Sequence, residues 1–269
     1  MTAQPSSLES PCRRTLPPAP PVLTSQVLDC VHGMFCRLGG VSTGHFSALN
    51  LSFGVGDALK NVLQNRKIVL NSLGLSSLVS LGQVHGEQIL VLEQAPGQEE
   101  YQGYDAVISN QPGIALMIQQ ADCQAVLLRD PVQQIIAAIH CGWRGSVAGI
   151  IGLTISQMAT EFAVKPANLR AVISPSLGPC CAEFINYHKE LPEWMHAYAT
   201  QDKPAHFDFW AISRRQLSEA GVRPGRIDSA NICTRCNRDY FSFRRAKAET
   251  SGICGRNGSA IGLAAEQIS

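Results

Sequence analysis

The sequence has little charge of either sign and no long hydrophobic run. Charged residues make up 16% of its 269 residues, and the formal net charge is only +1. This balance is not basic enough to make nucleic acid the main partner. No apolar stretch approaches the roughly 18 residues that a membrane-spanning helix needs, so we expect no membrane association either. The hydrophobic fraction of 45% indicates an ordinary globular protein.

The sequence also lacks an apolar signal core near its start, which bears on its ten cysteines. These cysteines are spread over a long chain, unlike those of a small disulfide-stapled secreted domain. We therefore expect free thiols in a cytoplasmic protein. Residues 1–25 are rich in proline and serine and have few periodic apolar positions, which predicts a flexible leader before one catalytic domain over 26–269.

Strand-like and helix-like patterns alternate along the rest of the chain, which favours one compact α/β domain. Predicted helices cover 61–73, 146–162, 187–198 and 208–220. Predicted strands lie on both sides of 83–86 and over 104–110, 114–118, 125–128, 135–139 and 169–173.

The stretch from Met117 to Gly145 is the most suggestive of chemistry. Two apolar, β-branched runs flank Asp130-Pro131, which predicts a hairpin because proline presets a turn. A loop of two or four residues would place Cys123 directly opposite His140, with Cβ atoms roughly 4.5–5.5 Å apart. One metal ion with bonds of about 2.0–2.3 Å could then contact both side chains. A loop of three or five residues would break this alignment.

The first hypothesis for these residues is a catalytic metal site. His85, Cys123 and His140 would be three ligands of a zinc ion, since catalytic zinc sites keep one position open. Thiolate and imidazole donors favour zinc, with copper possible when copper is in excess. Asp122 could orient a ligand or move protons, or it could simply cap its turn.

Two other chemical hypotheses and a structural one stay open. His85-Gly86-Glu87 and Cys233-x-x-Cys236 superficially match the H-x-E and P-C-x-x-C elements of zinc nucleobase deaminases, although Ile232 replaces the proline. Alternatively, Cys123 is a nucleophile that His140 activates without a metal. In a purely structural alternative, the same pair only packs. The additional histidine, His85, favours the metal.

A series of short motifs runs in order from about Gly33 to Arg256. They are R-L-G-G-V-S (37–42), L-N-L-S (49–52), G-D (56–57), Q-V-H-G (83–86), A-D-C (121–123), H-C-G-W-R-G (140–145), S-L-G-P-C-C (176–181), C-T (233–234) and F-S-F-R-R (241–245). With this set the chain resembles the laccase-domain or "multicopper polyphenol oxidase" family, the YfiH/YlmD-like proteins now treated as purine nucleoside phosphorylases.

The resemblance implies an α+β fold with mixed sheets between helical layers, an αββα-type sandwich. It also implies a zinc site formed by His85, Cys123 and His140. The implied activity is phosphorolysis of adenosine, inosine, guanosine and 5′-methylthioadenosine, with adenosine deamination as a side activity. Some members have been linked instead to peptidoglycan editing or to phenol oxidation. A thiol hydrolase or amidase acting on peptidoglycan precursors, or a copper-loaded phenol oxidase, is therefore the alternative.

Phosphorolysis requires a cationic pocket for phosphate and polar groups for the sugar and base. The candidate substrate-binding residues are Arg37, Ser42, Asn50, Gln83, Arg144 and Arg244, and the candidate catalytic residues are Asp122, Cys123 and His140. A glycine-rich loop around Gly39 and Gly40 could add backbone N–H donors. The chain departs from the family pattern at Cys141, Ala182 and Phe243, where alanine, an aromatic residue and tyrosine are usual.

Overall fold

The elements of the fold are drawn from residues 19–94, 96–97 and 99–265, the part of the chain that the computed structural model describes. The strands are β1 (Val22–Leu23), β2 (Val31–Phe35), β3 (Ser77–Gly82), β4 (Ile89–Leu92), β5 (Glu100–Gln102), β6 (Ala106–Ser109), β7 (Ile114–Gln120), β8 (Gln124–Asp130), β9 (Ile135–Cys141), β10 (Arg170–Ile173), β11 (Ala199–Thr200), β12 (Lys203–Phe207), β13 (Ile227–Ser229) and β14 (Asn257–Gly262). The α-helices are α1 (Leu59–Leu73), α2 (Trp143–Ala148), α3 (Ile150–Phe162), α4 (Tyr187–Glu190), α5 (Glu193–His196), α6 (Phe209–Glu219) and α7 (Phe243–Glu249). Short 3₁₀ turns cover Gly44–Phe46, Phe53–Val55, Pro166–Asn168 and Pro224–Arg226.

Two mixed six-stranded sheets form the inner layers of the fold. The first sheet has the order β1-β2-β14-β7-β3-β5, and the second has the order β13-β10-β8-β9-β6-β4. Parallel pairs such as β3 with β7 occur beside antiparallel pairs such as β8 with β9. Strands β11 and β12 form a separate hairpin.

The central strands are apolar on both faces because both faces are covered. In β7, Leu116 and Ile118 point into the core between the sheets, whereas Ala115 and Met117 pack in the layer of α1. Strand β8 alternates in the same way between the inter-sheet core and the layer of α3 and α6. The fold is thus an α+β domain with helices outside two facing sheets, which confirms the predicted αββα-type sandwich.

The hairpin of β8 and β9 forms, but its predicted register is wrong. A four-residue turn follows Asp130, and Ala125 rather than Cys123 lies opposite His140. The Asp130 carboxylate accepts two backbone N–H groups within the turn, which centres the loop one residue later than expected. Cys123 lies immediately before β8 and approaches His140 diagonally.

Two predicted helices are each divided in two. The segment 146–162 breaks at Gly149, whose φ of 78° lies in the left-handed region that glycine tolerates. The segment 187–198 breaks before Pro192, which is the N-cap of α5. The helix over 208–220 forms as α6, capped by the Asp208 carboxylate on the Ala211 N–H.

The predicted leader, residues 1–25, falls largely outside the described residues, which begin at residue 19. Within the described part of this segment, β1 pairs with β2 at the edge of the first sheet. In the described residues, no helix has both the length and the apolar character to cross a membrane.

Candidate metal centre and active site

Three side chains meet where the chain crosses from the first sheet to the second. His85 lies on the connection from β3 to β4, Cys123 on the connection from β7 to β8, and His140 near the end of β9. Their ligand atoms lie within 4.8 Å of one another, and the Cys123 Sγ is 3.9 Å from the His85 Nε2. His140 is buried, Cys123 is half-buried and His85 is exposed, so the cluster is open to solvent on one side.

The backbone at both sheet crossings is strained. His85 has a φ of 61° and Asp122 a φ of 87°, in the left-handed region that side chains with a Cβ seldom adopt. Such conformations persist only where the surrounding contacts impose them, and they concentrate at functional sites. At the first crossing, the contacts come from the carboxylate of Asp105.

Asp105 is a fully buried acceptor that organises two of the three candidate ligands. Its carboxylate accepts the N–H groups of Val84, His85 and Gly86 at 3.2, 2.9 and 2.7 Å, and it lies 2.8 Å from the His140 Nδ1. A carboxylate on one ring nitrogen leaves the other nitrogen free to face a metal, an arrangement typical of histidine ligands. No local sequence signal marks Asp105, since only the fold brings this residue to His140.

The charges of this cluster reinforce one another. Burial acts to raise the pKa of the Cys123 thiol, but hydrogen bonds and charge from His140 and His85 outweigh burial and lower this pKa to about 6. Burial acts to lower the pKa of His140, whereas hydrogen bonds to Asp105 and Cys123 raise it to about 9. Asp105, although buried, has a lowered pKa because it accepts bonds from His140 and from the backbone. The cluster therefore favours a thiolate, the form of cysteine that binds metal or acts as a nucleophile.

Gly142 leaves the space that the cluster occupies. A Cβ at this position would lie 3.2 Å from the Cys123 Sγ and 3.2 Å from the His85 Cδ2. Any side chain would thus press directly on two of the three candidate ligands. The sequence analysis did not single out Gly142, although the H-C-G-W-R-G motif contains it.

Two cavities adjoin the cluster, and Cys123 and Phe243 line both of them. The larger is a groove of about 510 Å³, whose lining includes the polar side chains of Gln83, His85, Gln119, Gln120 and Arg256. The smaller is an apolar pocket of about 190 Å³, whose lining includes Trp143, Leu177, Ala182, Phe184 and Phe209. A small amphipathic ligand could place its apolar part in the pocket and its polar part in the groove.

Asp122 and Arg244 line the apolar pocket and are bonded to each other. One Asp122 oxygen accepts the Thr234 hydroxyl at 2.8 Å, and the other accepts the Arg244 backbone N–H at 2.6 Å. The Arg244 guanidinium donates to the carbonyls of Cys181 and Glu183 at 3.4 and 3.1 Å. Both residues therefore hold the pocket wall in place.

Among the predicted substrate-binding residues, Gln83 lines the groove. Its side chain exchanges two hydrogen bonds with the Gln119 backbone, at 2.8 and 2.9 Å, and so extends the pairing of the first sheet. The groove lining also contains Arg256 and Glu100, neither of which the sequence singled out, so the groove carries charged groups of both signs.

Ser42 and Asn50 are buried behind the groove. Ser42 donates to the Asp57 carboxylate at 2.6 Å, and Asn50 donates to the same oxygen at 3.0 Å. The Asn50 side-chain oxygen Oδ1 accepts the Arg256 backbone N–H at 2.9 Å. This network supports the groove from behind, and Ser42 and Asn50 do not line it.

Two predicted arginines lie outside the lining of both cavities. The Arg37 guanidinium lies 4.7 Å from the centre of the Phe241 ring and donates to the Ser47 carbonyl. Arg144 is exposed and lies 4.4 Å from the centre of the Trp143 ring. Gly40 packs against the backbone of residues 48 and 49, which leaves no room for a side chain there.

The deaminase-like pairing of His85 with Cys233 and Cys236 does not form. Within the described residues, Cys233 and Cys236 lie with Cys180 and Cys181 in a second cluster, separate from His85. This correction separates the CxxC motif from the candidate active site.

The open cluster fits a zinc ion by the chemistry of its donors. One thiolate and two imidazoles are a donor set that both zinc and copper accept. The buried carboxylate behind His140 and the space left by Gly142 are further features of such a site.

The family model for multi-copper polyphenol oxidoreductase laccase matches residues 31–264. A purine nucleoside phosphorylase of Streptomyces coelicolor is 35% identical over 225 residues, covering 79% of this chain and 89% of that protein. The purine nucleoside phosphorylase YfiH of Escherichia coli is 34% identical over 218 residues, covering 78% of this chain and 86% of that protein. The crystal structure of YlmD from Geobacillus stearothermophilus matches with a TM-score of 0.80 and 27% identity, covering 90% of this chain and 94% of that chain. The chain therefore belongs to the multi-copper polyphenol oxidoreductase laccase family, as its motifs indicated.

Proposed function

We propose that this protein is a zinc-dependent purine nucleoside phosphorylase. Its substrates would be adenosine, inosine, guanosine and 5′-methylthioadenosine, with adenosine deamination as a side activity. One observation carries the proposal: the cluster of His85, Cys123 and His140 lies between a groove that presents polar side chains and an apolar pocket. Curated relatives that match most of this chain are named purine nucleoside phosphorylases. We place the activity in the cytoplasm, because the nine cysteines in the described residues are free thiols.

The two cavities suit the two halves of a nucleoside. Aromatic side chains such as Phe184 and Phe209 line the smaller pocket, and they would pack against the faces of a purine. Gln83 and Arg256 line the groove, where the sugar and the phosphate would lie. The Arg256 guanidinium would then balance part of the phosphate charge.

Zinc bound by His85, Cys123 and His140 would supply a Lewis acid at the groove. Asp105 would hold His140 in the orientation and tautomer that ligation requires. Asp122 would position Arg244 at the pocket wall, because both of its oxygens already accept hydrogen bonds. In phosphorolysis, a phosphate oxygen bonds to the sugar C1′ as the bond from C1′ to the base nitrogen breaks. The base leaves with a proton on its nitrogen, and the hydrogen phosphate supplies that proton in the net reaction.

The decisive experiment incubates zinc-replete protein with adenosine, with and without phosphate, and separates the products by chromatography. Phosphorolysis predicts adenine and ribose 1-phosphate only when phosphate is present. Deamination predicts inosine in both conditions, and hypoxanthine when phosphate allows inosine to react further. No nucleoside product, together with turnover of a muramyl peptide, would overturn the proposal.

The zinc ligands are tested separately by elemental analysis of the wild type and of His85→Ala. We expect the variant to lose about one zinc ion per chain, since a three-ligand site loses one donor. Unchanged zinc content in this variant would count against the proposed ligand set.

A metal-free thiol hydrolase is the second candidate, because Cys123, His140 and Asp105 form a Cys-His-Asp arrangement. The lowered pKa of Cys123 means that its thiolate, the reactive form, should appear as the pH rises through about 6. Alkylation of Cys123 in chelated protein, followed by peptide mapping, should show this midpoint. A thiol hydrolase would cleave muramyl peptides in chelator and lose activity on alkylation, whereas a zinc phosphorylase would be inactive in chelator. Copper-loaded protein with a phenol and oxygen tests the oxidase alternative.

A further inference from the structure

Four cysteines from two distant segments converge at a second cluster, outside the candidate active site. Cys180 and Cys181 lie on the loop after β10, and Cys233 and Cys236 lie on the loop after β13. Their sulfur atoms all lie within 4.8 Å of one another. The Cys236 Sγ is 3.6 Å from that of Cys180 and 3.4 Å from that of Cys181.

Backbone hydrogen bonds hold the two loops together at this point. Ser176 pairs with Cys233 in a parallel bridge, and the Thr234 N–H donates to the Ser176 carbonyl at 3.0 Å. Within the second loop, the Asn237 N–H donates to the Cys233 carbonyl at 2.9 Å, which closes a tight turn over the CxxC motif. The cysteines are therefore positioned by the fold and not by chance proximity of mobile side chains.

The two loops also pack closely at the cluster. Gly178 approaches the second loop so closely that a Cβ there would lie 3.0 Å from the Cys233 Cβ. Glycine at this position therefore lets the two loops bring their cysteines together.

The spacing fits a tetrahedral ion. Zinc–thiolate bonds of about 2.3 Å in a tetrahedron separate the sulfur atoms by roughly 3.8 Å, so small side-chain adjustments would suffice. Four thiolates in tetrahedral geometry select zinc or iron–sulfur chemistry, and a site closed by four cysteines is usually structural. Cys180 and Cys236 are exposed, which gives an ion a path into the cluster.

We propose that Cys180, Cys181, Cys233 and Cys236 bind one zinc ion as a closed four-thiolate site, separate from the open three-ligand site. The proposal does not depend on the activity assigned above. Zinc binding would release the protons of those cysteines that are neutral thiols in the free protein. No oxidant or reductant takes part.

The ion would fix the wall of the apolar pocket. Thr234, next to Cys233, donates to Asp122, and Arg244 donates to the Cys181 carbonyl. The Leu177 N–H donates to the Asp122 carbonyl oxygen at 2.8 Å. Each loop that carries two of the cysteines is thus bonded directly to the turn that carries Cys123.

The test measures zinc per chain by elemental analysis in full-length protein purified under reducing conditions. We expect about two zinc ions in the wild type, about one in Cys236→Ser or in His85→Ala, and about none in the double variant. Cys30→Ser, at a half-buried cysteine outside both clusters, is the matched control and should keep the wild-type content. Cys236→Ser tests the four-cysteine site and His85→Ala tests the open site. An unchanged zinc content in Cys236→Ser would therefore contradict this proposal without affecting the active-site assignment.

A second measurement keeps the proposal testable if a variant does not fold. Cobalt titrated into metal-free His85→Ala protein should give intense thiolate-to-cobalt absorption that saturates at about one cobalt ion per chain. Zinc should protect all four cysteines from alkylation in the same protein. The proposal would be overturned if the wild type held only one zinc ion per chain and His85→Ala held none. A disulfide from Cys236 to Cys180 or Cys181, found by non-reducing peptide mapping of freshly purified protein, would also overturn it.

Discussion

The two cysteine-containing clusters differ in how the chain carries their ligands. His85, Cys123 and His140 lie at the ends of strands and on crossings between two sheets, beside a groove. The four-cysteine cluster lies on two long loops that backbone hydrogen bonds join. The first cluster has three donors and an exposed side, and the second has four donors and no remaining position. Open metal sites are typical of catalysis and closed four-thiolate sites are typical of structural metals, so we expect a catalytic role for the first cluster and a structural role for the second.

Cys123→Ser should produce the largest effect on activity. A small effect would contradict the distinction between a catalytic open site and a structural four-cysteine site. We expect the phosphorolysis kcat/KM to fall by more than about 100-fold, since loss of a ligand exceeds the usual cost of losing an outer partner of a ligand. Zinc content should fall by about one ion per chain while the four-cysteine site stays filled. Cys30→Ser, measured in parallel, should keep full activity. Near wild-type kcat/KM in Cys123→Ser would remove the open site from catalysis.

Asp105→Asn should come next, because this residue orients the open site without binding the ion. We expect a loss of about 10–100-fold in kcat/KM or zinc affinity, the usual range for a partner of a histidine ligand. The carboxylate accepts hydrogen bonds from the backbone N–H groups of His85 and Gly86. The asparagine NH₂ group cannot accept a hydrogen bond, so the amide cannot replace all of these contacts. Asp208→Asn, which preserves the cap of α6, is the matched control. Wild-type kcat/KM and zinc affinity in Asp105→Asn would mean that the open site does not depend on this carboxylate.

Gly142→Ala should weaken the open site more mildly. The added Cβ would press on the Cys123 sulfur and the His85 ring, and we expect about tenfold weaker zinc binding at that site alone. Gly142 has a φ of −77°, so alanine is not strained by the backbone itself. Gly152→Ala, at a helical glycine with open space around it, should instead stabilise the protein by about 0.5–1 kcal/mol. Equal zinc affinity in the two variants would contradict the crowding argument.

Thr234→Val should have the smallest effect and would sharpen the comparison by testing the link between the clusters. It removes the donor to Asp122 from a fully buried position, which should cost about 1–2 kcal/mol of unfolding free energy. We expect a several-fold loss of kcat/KM with both zinc ions retained. Thr234→Ser keeps the hydroxyl and should restore activity. Loss of zinc from the four-cysteine site in the valine variant would show that the loops depend on this bond for more than alignment.

The sequence patterns predicted most of the central strands and helices because period-two apolar strands and helical spacing are local signals. The layered arrangement came from the family resemblance and not from these patterns. The sequence also selected Cys123 and His140, because the predicted hairpin brings them together, and His85 as an additional histidine that the family resemblance supports. The hairpin register was wrong because the Asp130 carboxylate bonds within the turn and shifts its centre, which no apolar pattern records.

Other features depended on contacts between residues far apart in the chain. Asp105 and Gly142 matter only through the side chains that the sheets bring next to them. The four-cysteine cluster joins segments about fifty residues apart, so its CxxC motif alone gave no partner. Ser42 and Asn50 carry family motifs, but their side chains serve a buried network around Asp57.

The sheet crossings at His85 and Asp122–Cys123 give the open site a mechanical role. Two of its three donors lie on connections that join one sheet to the other. A bound ion would therefore link these connections and stabilise the packing of the two sheets. A ligand that binds only the folded chain adds about 2.7 kcal/mol to its stability at a concentration 100 times its dissociation constant. Melting temperature should therefore rise with free zinc, which makes the supply of the ion a control on how long the folded protein survives.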